Sequence, residues 1–203
     1  MLYLLSGAAA SGKKTLAPIV STRVTNLVFH HENEIPATDR RGRMANMEQW
    51  LEKTATYESN GKDLLLLAAS PLGEVLASPR ATELTGIAAC LLDCHDHERS
   101  RRHVHRPVDP RWPFGMDTLC WAAWHRMHAV DPQFEQRVIR APEVSQYAWE
   151  RWSGWSKGDP RWSVEVVDTT SEPVAHSAER VVTWIERTRA NGPSLSRAGR
   201  WWS

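Results

Sequence analysis

The chain has 203 residues, few cysteines and no long apolar run. Its three cysteines are an odd number, and three residues separate Cys90 from Cys94, so neither a disulfide framework nor a cysteine-rich zinc site is predicted. No apolar run reaches the roughly 18 residues of a transmembrane helix. The apolar residues 1–5 carry no basic residue and end at Gly7, which does not predict a secretory signal. We therefore expect a reduced, cytoplasmic protein with no membrane partner.

The chain also lacks an excess of charge of either sign. Its 25 basic and 24 acidic residues leave a formal net charge of +1, which disfavours nucleic acid as a partner. A content of 41% apolar and 24% charged residues is typical of a globular protein. At about 150 residues per domain, the length predicts a single domain over 1–190 with a movable insertion. We expect residues 191–203 to form a loosely ordered tail, because they are mostly polar until the final tryptophans.

Short apolar runs alternate with segments of helical periodicity along the chain. The predicted strands cover residues 2–6, 26–30, 64–69, 87–92 and 163–168. Helices are predicted over residues 44–58, 95–105, 118–130 and 143–153, with another opening at Lys13 and a last one around 174–185. This alternation predicts an α/β fold, in which a parallel sheet carries helices on both faces.

A loop of small residues follows the first predicted strand and leads into a helix. It runs through Gly7, Ala8, Ala9, Ala10, Ser11, Gly12, Lys13, Lys14 and Thr15. Small residues allow successive backbone N–H groups to close around a phosphate, and the helix N-terminus adds partial positive charge. Lys13 can reach the β- and γ-phosphates of a nucleotide as a point charge. The spacing Gly7-x4-Gly12-Lys13 between a strand and a helix predicts a phosphate-binding loop.

The loop departs from the general pattern in one place, because Lys14 stands where Ser or Thr is usual and Thr15 follows one residue later. The form Gly-x4-Gly-Lys-x-Thr resembles the P-loop small-molecule kinases, the superfamily of nucleoside-monophosphate, gluconate and shikimate kinases. That resemblance implies a five-stranded parallel sheet of order 2-3-1-4-5 with a helical lid after strand 4. It also implies phosphoryl transfer from ATP with Mg²⁺, and contact of Thr15 with phosphate or the metal.

A kinase needs a carboxylate near the metal or the acceptor hydroxyl. Glu32 and Glu34 follow the second predicted strand, where related kinases hold acidic residues, and a solvated loop is the alternative interpretation. The third strand runs into residues 67–71 with no Asp. Asp93 follows the fourth strand and is a second metal candidate, with a helix N-cap as the alternative.

Arginines are concentrated after the fourth predicted strand. Arg99, Arg102 and Arg106 fall on one helical face. In the kinases that the chain resembles, lid arginines at this point grip the phosphates, a role that suits the permanently charged guanidinium. We therefore expect a lid and helical insertion over about 99–160, with a solvated basic face as the alternative.

A second basic cluster, Arg40, Arg41 and Arg43, lies within the region of about 31–60 that would bind the acceptor. Such a cluster can hold a phosphate or carboxylate, and an exposed loop is the alternative.

Tryptophan is also unusually frequent, with eleven residues, all but Trp50 at or beyond Trp112. Trp121, Trp124, His125 and His128 share one helical face, which could form an aromatic wall for a ring-shaped ligand. We expect most tryptophans to pack in a core instead, with one or two at most in contact with ligand.

These features favour an ATP-dependent kinase that phosphorylates a small-molecule acceptor. A nucleotide-binding ATPase or regulatory module without an acceptor is the alternative, since the third strand lacks its usual Asp. Neither the acceptor nor the oligomeric state follows from the sequence.

Overall fold

The apolar runs of the sequence form one sheet. In the computed structural model, which describes residues 1–37, 39–104, 114–140 and 146–203, five strands are parallel and follow the order β2-β3-β1-β4-β5. They are β1 Leu2–Ser6, β2 Leu27–His31, β3 Asp63–Ala68, β4 Gly86–Asp93 and β5 Val164–Asp168. The strand order confirms the predicted fold, and each predicted strand lies within one residue of its observed position at either end.

Seven helices surround the sheet in the described part of the chain. They are α1 Lys13–Arg23, α2 Arg40–Ser59, α3 Leu72–Ala77, α4 Asp96–Val104, α5 Met116–Val130, α6 Glu150–Ser153 and α7 Val174–Asn191. Helix α2 begins four residues before the predicted start, because the Asp39 side chain accepts a hydrogen bond from Gly42 N and caps the helix. Helix α3 was not predicted. Helix α6 is shorter than expected, although residues 143–145 of that prediction lie outside the described residues.

The two faces of the sheet bury separate apolar layers, as the period of two in a strand requires. Leu2 and Leu4 of β1 belong to a core that includes α2, α3 and most of the tryptophans. Tyr3 and Leu5 belong to the opposite core, which α1 and α7 cover. Burying each side chain of this size contributes about 1.5–3 kcal/mol. Both layers therefore hold β1 at the centre of the molecule and fix the loop that follows it.

Most of the described tryptophans pack in the core, as expected. Trp152 has no exposed surface and contacts the ring of Trp162 at a centroid distance of 5.3 Å. Trp162 donates its Nε1–H to the carbonyl oxygens of His128 and Ala129, which ties α5 to the segment before β5. A Cβ at Gly73 would lie 2.6 Å from Trp152, so only glycine allows α3 to approach this closely.

The terminal residues differ from the loosely ordered tail expected from sequence. Residues Leu195–Ser196 form β6, which pairs antiparallel with β4 and sets Leu195 opposite Ile87. Trp201 is only 3% exposed and meets the ring of Trp155 edge to face. Burial of these two apolar side chains offsets the entropy cost of ordering the polar residues between them.

Candidate active site

The predicted phosphate-binding loop connects β1 to α1 at the carboxyl edge of the sheet. Gly7 N donates to the carbonyl of Ala68 at 3.1 Å, which anchors the loop to β3. A Cβ at Gly7 would lie 2.2 Å from the Leu92 carbonyl oxygen, so this position requires glycine. Ala10 and Gly12 also have positive φ values, of 61° and 102°. The loop thus has the tight curvature of a phosphate cradle at a helix N-terminus.

The Lys13 side chain lies over this loop and is largely buried. Its Nζ donates to the Gly7 carbonyl oxygen, to the Ala8 carbonyl at 3.2 Å and to Ser11 Oγ at 3.4 Å. The ammonium group therefore occupies the mouth of the cradle, where it can exchange carbonyl oxygens for phosphate oxygens. Lys14 is exposed beside it. Burial and the two lysines lower the pKa of His31 to about 4, so His31 is neutral.

Glu32 occupies the position expected of a catalytic carboxylate. It follows β2, is only 7% exposed, and accepts hydrogen bonds from Ala69 N at 2.6 Å and Ser70 Oγ at 3.4 Å. Burial raises the pKa of this carboxyl, although the bond from Ala69 and the charges of Lys13 and Arg43 oppose that shift. A buried carboxylate with a raised pKa, close enough to Lys13 for its charge to act, is the kind of group that can serve as a general base.

Glu34 lies in a different environment. It is exposed, its carboxylate accepts from His31 N at 2.8 Å, and its other oxygen lies 2.7 Å from His30 Nδ1. With the His31 side chain accepting from Asn33 N, these bonds cap the short 3-10 turn Glu32–Glu34. The structure thus gives Glu34 a capping role and leaves Glu32 as the carboxylate beside the cradle.

Asp93, the metal candidate after β4, is held by two arginines. Its Oδ1 accepts from Arg99 Nη2 at 2.5 Å and its Oδ2 accepts from Arg126 Nε at 2.6 Å. Because both oxygens are paired, a metal could use this carboxylate only after at least one arginine moved away. The sequence did not identify Arg126 as a site residue, because no local pattern indicates that α5 packs against the end of β4.

Arg99 is fully buried and does not stand on an exposed lid face. Besides Asp93, its guanidinium donates to the Ala9 carbonyl at 2.6 Å and to the Cys94 carbonyl at 3.1 Å. The Ala9 carbonyl belongs to the phosphate-binding loop. Arg99 therefore holds that loop through a backbone carbonyl, which differs from the expected contact of Arg99 with phosphates.

Arg102 lies one turn later on α4 and is partly exposed. Its guanidinium donates to Thr169 Oγ1 at 2.9 Å, to the Thr169 carbonyl and to the Ala10 carbonyl at 3.4 Å. Its Nε also donates to Glu98 at 2.7 Å. Arg102 thus joins the loop to the end of β5. Arg106, the third arginine of the predicted face, lies outside the described residues.

The arginines of the predicted acceptor region separate in the structure. Arg43 points toward the site and donates to Glu74 Oε1 at 2.5 Å, and its guanidinium lies 5.4 Å from the ring centroid of Trp121. Arg41 is exposed. Arg40 opens α2, and its side chain lies outside the described part of the structure. Arg43 is therefore the one of the three whose side chain the structure places near Glu32.

A cleft of about 710 Å³ opens beside the phosphate-binding loop. Its lining comes from the loop, α4 and the connection from β5 to α7, and includes Gly12, Thr15, Arg102, Thr169, Pro173 and Ser177. The volume falls within the range of small-molecule sites. The cleft thus offers space for the rest of a ligand whose phosphates rest on the loop.

His125 connects α5 to the phosphate-binding edge, which sequence reasoning did not foresee. Its Nε2 lies 3.1 Å from Ser6 Oγ, the last residue of β1, and the imidazole is 3% exposed. Burial lowers the pKa of His125 to about 3, with smaller contributions from His128 and Lys13, so the ring is neutral. The sequence indicates the helical face that carries His125. It does not indicate the contact with Ser6, because the two residues are 119 positions apart in the chain.

Comparison with known proteins supports the fold. No family model and no curated protein matches the chain. A sugar kinase from a Janibacter species is 17% identical, with a TM-score of 0.61 over 93% of this chain and 96% of that one. A thymidylate kinase from Candida albicans is 10% identical, with a TM-score of 0.53 over 93% and 92%. A gluconokinase from Sinorhizobium meliloti is 14% identical, with a TM-score of 0.50 over 94% and 93%.

At these identities the similarity shows the fold alone. The chain has the fold of the P-loop small-molecule kinases, which confirms the resemblance seen in the loop sequence. Within the described ranges, no helix has the length and apolarity needed to cross a membrane.

Proposed function

We propose that this protein is a kinase that transfers the γ-phosphoryl group of ATP to a hydroxyl of a small molecule. The observation that carries the proposal is that the buried Glu32 lies at the carboxyl edge of the sheet, close enough to Lys13 for the lysine charge to act on its carboxyl. One side chain supplies positive charge for the phosphates and the other a proton acceptor. Phosphoryl transfer requires little more than such positioning and charge stabilisation.

The nucleotide would bind along the loop and the cleft. Its phosphates would rest on residues 7–15, where backbone N–H groups and Lys13 favour negative charge. Its base would enter the cleft of about 710 Å³ beside Thr15 and Arg102. Arg102 already bonds the loop and the end of β5, so it would fix the walls of this site.

The residues present fit a Mg²⁺ ion that is bound largely through the nucleotide. Mg²⁺ in such sites keeps several waters and takes only one or two protein groups besides the phosphates. Thr15 lines the cleft, and its hydroxyl is the one at the start of α1. Asp93 would join only if its arginines released it. When bound, the ion would neutralise charge on the β- and γ-phosphates.

The protein's own groups account for the transfer. The acceptor hydroxyl would lie between Glu32 and the γ-phosphorus and give its proton to Glu32. The hydroxyl oxygen forms a bond to phosphorus while the bond between phosphorus and the bridging oxygen breaks, which leaves ADP. Lys13 would exchange its bonds to the Gly7 and Ala8 carbonyls for bonds to phosphate oxygens.

The acceptor would bind in the region of about 31–60, next to Glu32 and Arg43. The neighbours in the structure comparison are described as kinases of a sugar and of thymidylate, and as a gluconokinase. A small hydroxyl-bearing molecule is therefore the class that we propose for this chain. Glu34 and Arg41 remain candidates from the sequence, but Glu32 and Arg43 have the better placement.

Nucleotide hydrolysis without an acceptor is the competing function. It is favoured by the end of β3, which carries no Asp, and by the pairing of Asp93 with two arginines. Both features leave the metal with few carboxylates, as in a site that binds nucleotide without fast transfer. Glu32 could accept a proton from an acceptor hydroxyl or from water. We prefer the kinase because the neighbours in the structure comparison are described as kinases.

An ADP-release assay separates the two functions. The protein is incubated with ATP and Mg²⁺, alone and with each compound of a panel of sugars, sugar acids, nucleosides and nucleotides. A kinase releases ADP at least about tenfold faster with one of these compounds, a barrier difference of about 1.4 kcal/mol. ADP release at the same rate with every compound and with none would instead establish the hydrolase.

A further inference from the structure

Three polar atoms without partners lie on side chains that are close to one another. They are the Nε of Arg43, the Nε1 of Trp121 and the Nδ1 of His125, all buried and without a hydrogen-bond partner among the described residues. Their side chains touch, because the Arg43 guanidinium lies 5.4 Å and the His125 ring 5.9 Å from the Trp121 ring. Buried polar groups are normally hydrogen-bonded, so three unpaired polar atoms on neighbouring side chains indicate a missing polar partner.

The hydrogen bonds of Ser6 determine which atom of His125 carries the proton. Ser6 Oγ lies 2.6 Å from the Ser70 carbonyl, which can only accept, so the single hydroxyl proton is donated there. The bond at 3.1 Å between Ser6 Oγ and His125 Nε2 must then be donated by the imidazole. The neutral ring has no second proton, so its Nδ1 is an acceptor. The three unpaired atoms are thus two N–H donors, on Arg43 and Trp121, and one acceptor, on His125.

The charges around this group are already balanced. Arg43 is paired with Glu74, which is 3% exposed, so an anionic ligand could take Arg43 only by leaving a buried carboxylate without its partner. Glu32 adds a further acidic group within range of Arg43. The other cations that act on His125 are Lys13, which bonds loop carbonyls, and Arg99, which is paired with Asp93. An anion would therefore have to compete with a carboxylate or a backbone carbonyl for each of these cations.

We propose that Arg43, Trp121 and His125 form the acceptor subsite of the proposed kinase, and that the subsite takes an uncharged polyhydroxyl compound such as a sugar, sugar alcohol or nucleoside. Hydroxyl groups both donate and accept, which matches two N–H donors and one imidazole lone pair. Arg43 and Trp121 are partly exposed, while His125 is buried against Ser6, the last residue of β1 before the phosphate-binding loop. This inference rests on the proposed function and narrows its acceptor.

The subsite is tested with an acceptor panel and two matched histidine variants. The panel contains an aldohexose, a hexitol and a ribonucleoside as neutral compounds, and an aldonate and a nucleoside monophosphate as anions. In His125→Gln the amide NH₂ can replace Nε2 as donor to Ser6, while the acceptor at Nδ1 is lost. His128→Gln is the control. His128 is equally buried one turn later and its ring nitrogens also lack hydrogen-bond partners among the described residues, but its ring stacks on Trp124 at 4.5 Å.

The inference predicts turnover of a neutral compound in preference to both anions. His125→Gln should raise the KM for that compound about tenfold, as the loss of one hydrogen bond implies, and leave the KM for ATP unchanged. His128→Gln should change neither KM. Trp121→Phe removes the indole N–H together with part of the ring and should also raise the acceptor KM. This second variant keeps the test valid if the His125 variant does not fold.

Tryptophan fluorescence without ATP separates this inference from the proposed function. A neutral compound that quenches the emission but is never phosphorylated would support the subsite and refute the kinase. Phosphorylation of an anion with no use of the neutral compounds would support the kinase and overturn the subsite. No response to any neutral compound in either assay would also overturn it.

Discussion

At the scale of single residues, Glu32 combines burial with a position beside the cradle. Burial raises its pKa, which means that the folded protein disfavours the ionised form. A proton acceptor in this state is more basic than an exposed carboxylate, but it reduces stability at neutral pH. Activity and stability should therefore respond in opposite directions when this carboxyl is replaced.

Replacing Glu32 by Gln should lower kcat by about 10²-fold or more, the usual effect of losing a general base. The amide oxygen can still accept from Ala69 N, so the fold should persist. Glu34→Gln should reduce kcat much less, because Glu34 is exposed and caps the turn after β2. Steady-state ADP release in the two variants measures the difference. Equal losses in both would contradict the assignment of Glu32.

The same substitution has a pH signature in thermal unfolding. Because the pKa of Glu32 is raised on folding, its stabilising contribution is present below the unfolded value of about 4.3 and is lost as pH rises through the folded value. The Tm of Glu32→Gln minus that of the wild type should therefore increase between about pH 4 and pH 8. A difference that stays constant or decreases over this range would show that burial does not dominate the pKa.

Lys13→Ala should lower kcat by about 10²–10³-fold, the range seen when one charge-stabilising group is removed. Its contacts are with loop carbonyls rather than with the apolar core, so cooperative unfolding should be retained. Lys62→Ala is the matched control, because Lys62 is exposed at the start of β3, at the opposite end of the sheet. Activity in Lys13→Ala within about tenfold of the wild type would remove the basis for the phosphate-binding assignment.

At the scale of elements, α4 supports the phosphate-binding loop. Arg99 and Arg102 donate to the Ala9 and Ala10 carbonyls of that loop, and Arg99 also pairs with Asp93 inside the protein. A helix that holds the loop in this way forms part of the proposed nucleotide site.

Arg99→Ala should lower the free energy of unfolding by about 3–5 kcal/mol, since it leaves a buried carboxylate with one partner and the loop without its brace. Arg101→Ala is the control on the same helix. Arg101 is exposed and pairs only with Glu98, so its loss should change the unfolding midpoint little. Urea denaturation measures both. Equal small effects would show that Arg99 is not a structural residue.

The sequence predicted the elements that continuous apolar runs or long periodic patterns define. The five parallel strands and the loop Gly7–Thr15 follow from local residue order alone. Helix α3 was missed because its six residues are too few to show periodicity, and β6 because it has two. The roles of His125 and Arg126 could not be predicted, because each depends on a contact between α5 and a distant strand end.

At the scale of the whole molecule, the tryptophan-rich half of the chain closes one face of the sheet. Trp152 and Trp162 join α3, α5 and α6 into one apolar layer, and Trp201 extends that layer to the terminal residues. Helix α5 also carries His125 and Arg126, so this layer positions side chains of the active site. The packing of the terminal residues is therefore linked to the geometry of the site.

Trp201→Ala should lower the free energy of unfolding by about 3–5 kcal/mol, as expected for removal of a buried tryptophan. Trp202→Ala should have a smaller effect, because Trp202 is only partly buried against the same layer. Chemical denaturation of the two variants tests whether the terminal residues belong to the folded domain. Wild-type stability in Trp201→Ala would show that they are loosely attached after all.

The central claim is that the whole protein moves phosphate from ATP to a small-molecule hydroxyl. Phosphorus NMR of a mixture of protein, ATP, Mg²⁺ and the best compound of the ADP-release panel tests it directly. We expect the γ-phosphate signal to be replaced by a phosphomonoester signal, and Lys13→Ala to prevent this change. Replacement of the γ-phosphate signal by inorganic phosphate alone, with every compound tested, would contradict the proposed kinase activity and establish an ATP hydrolase.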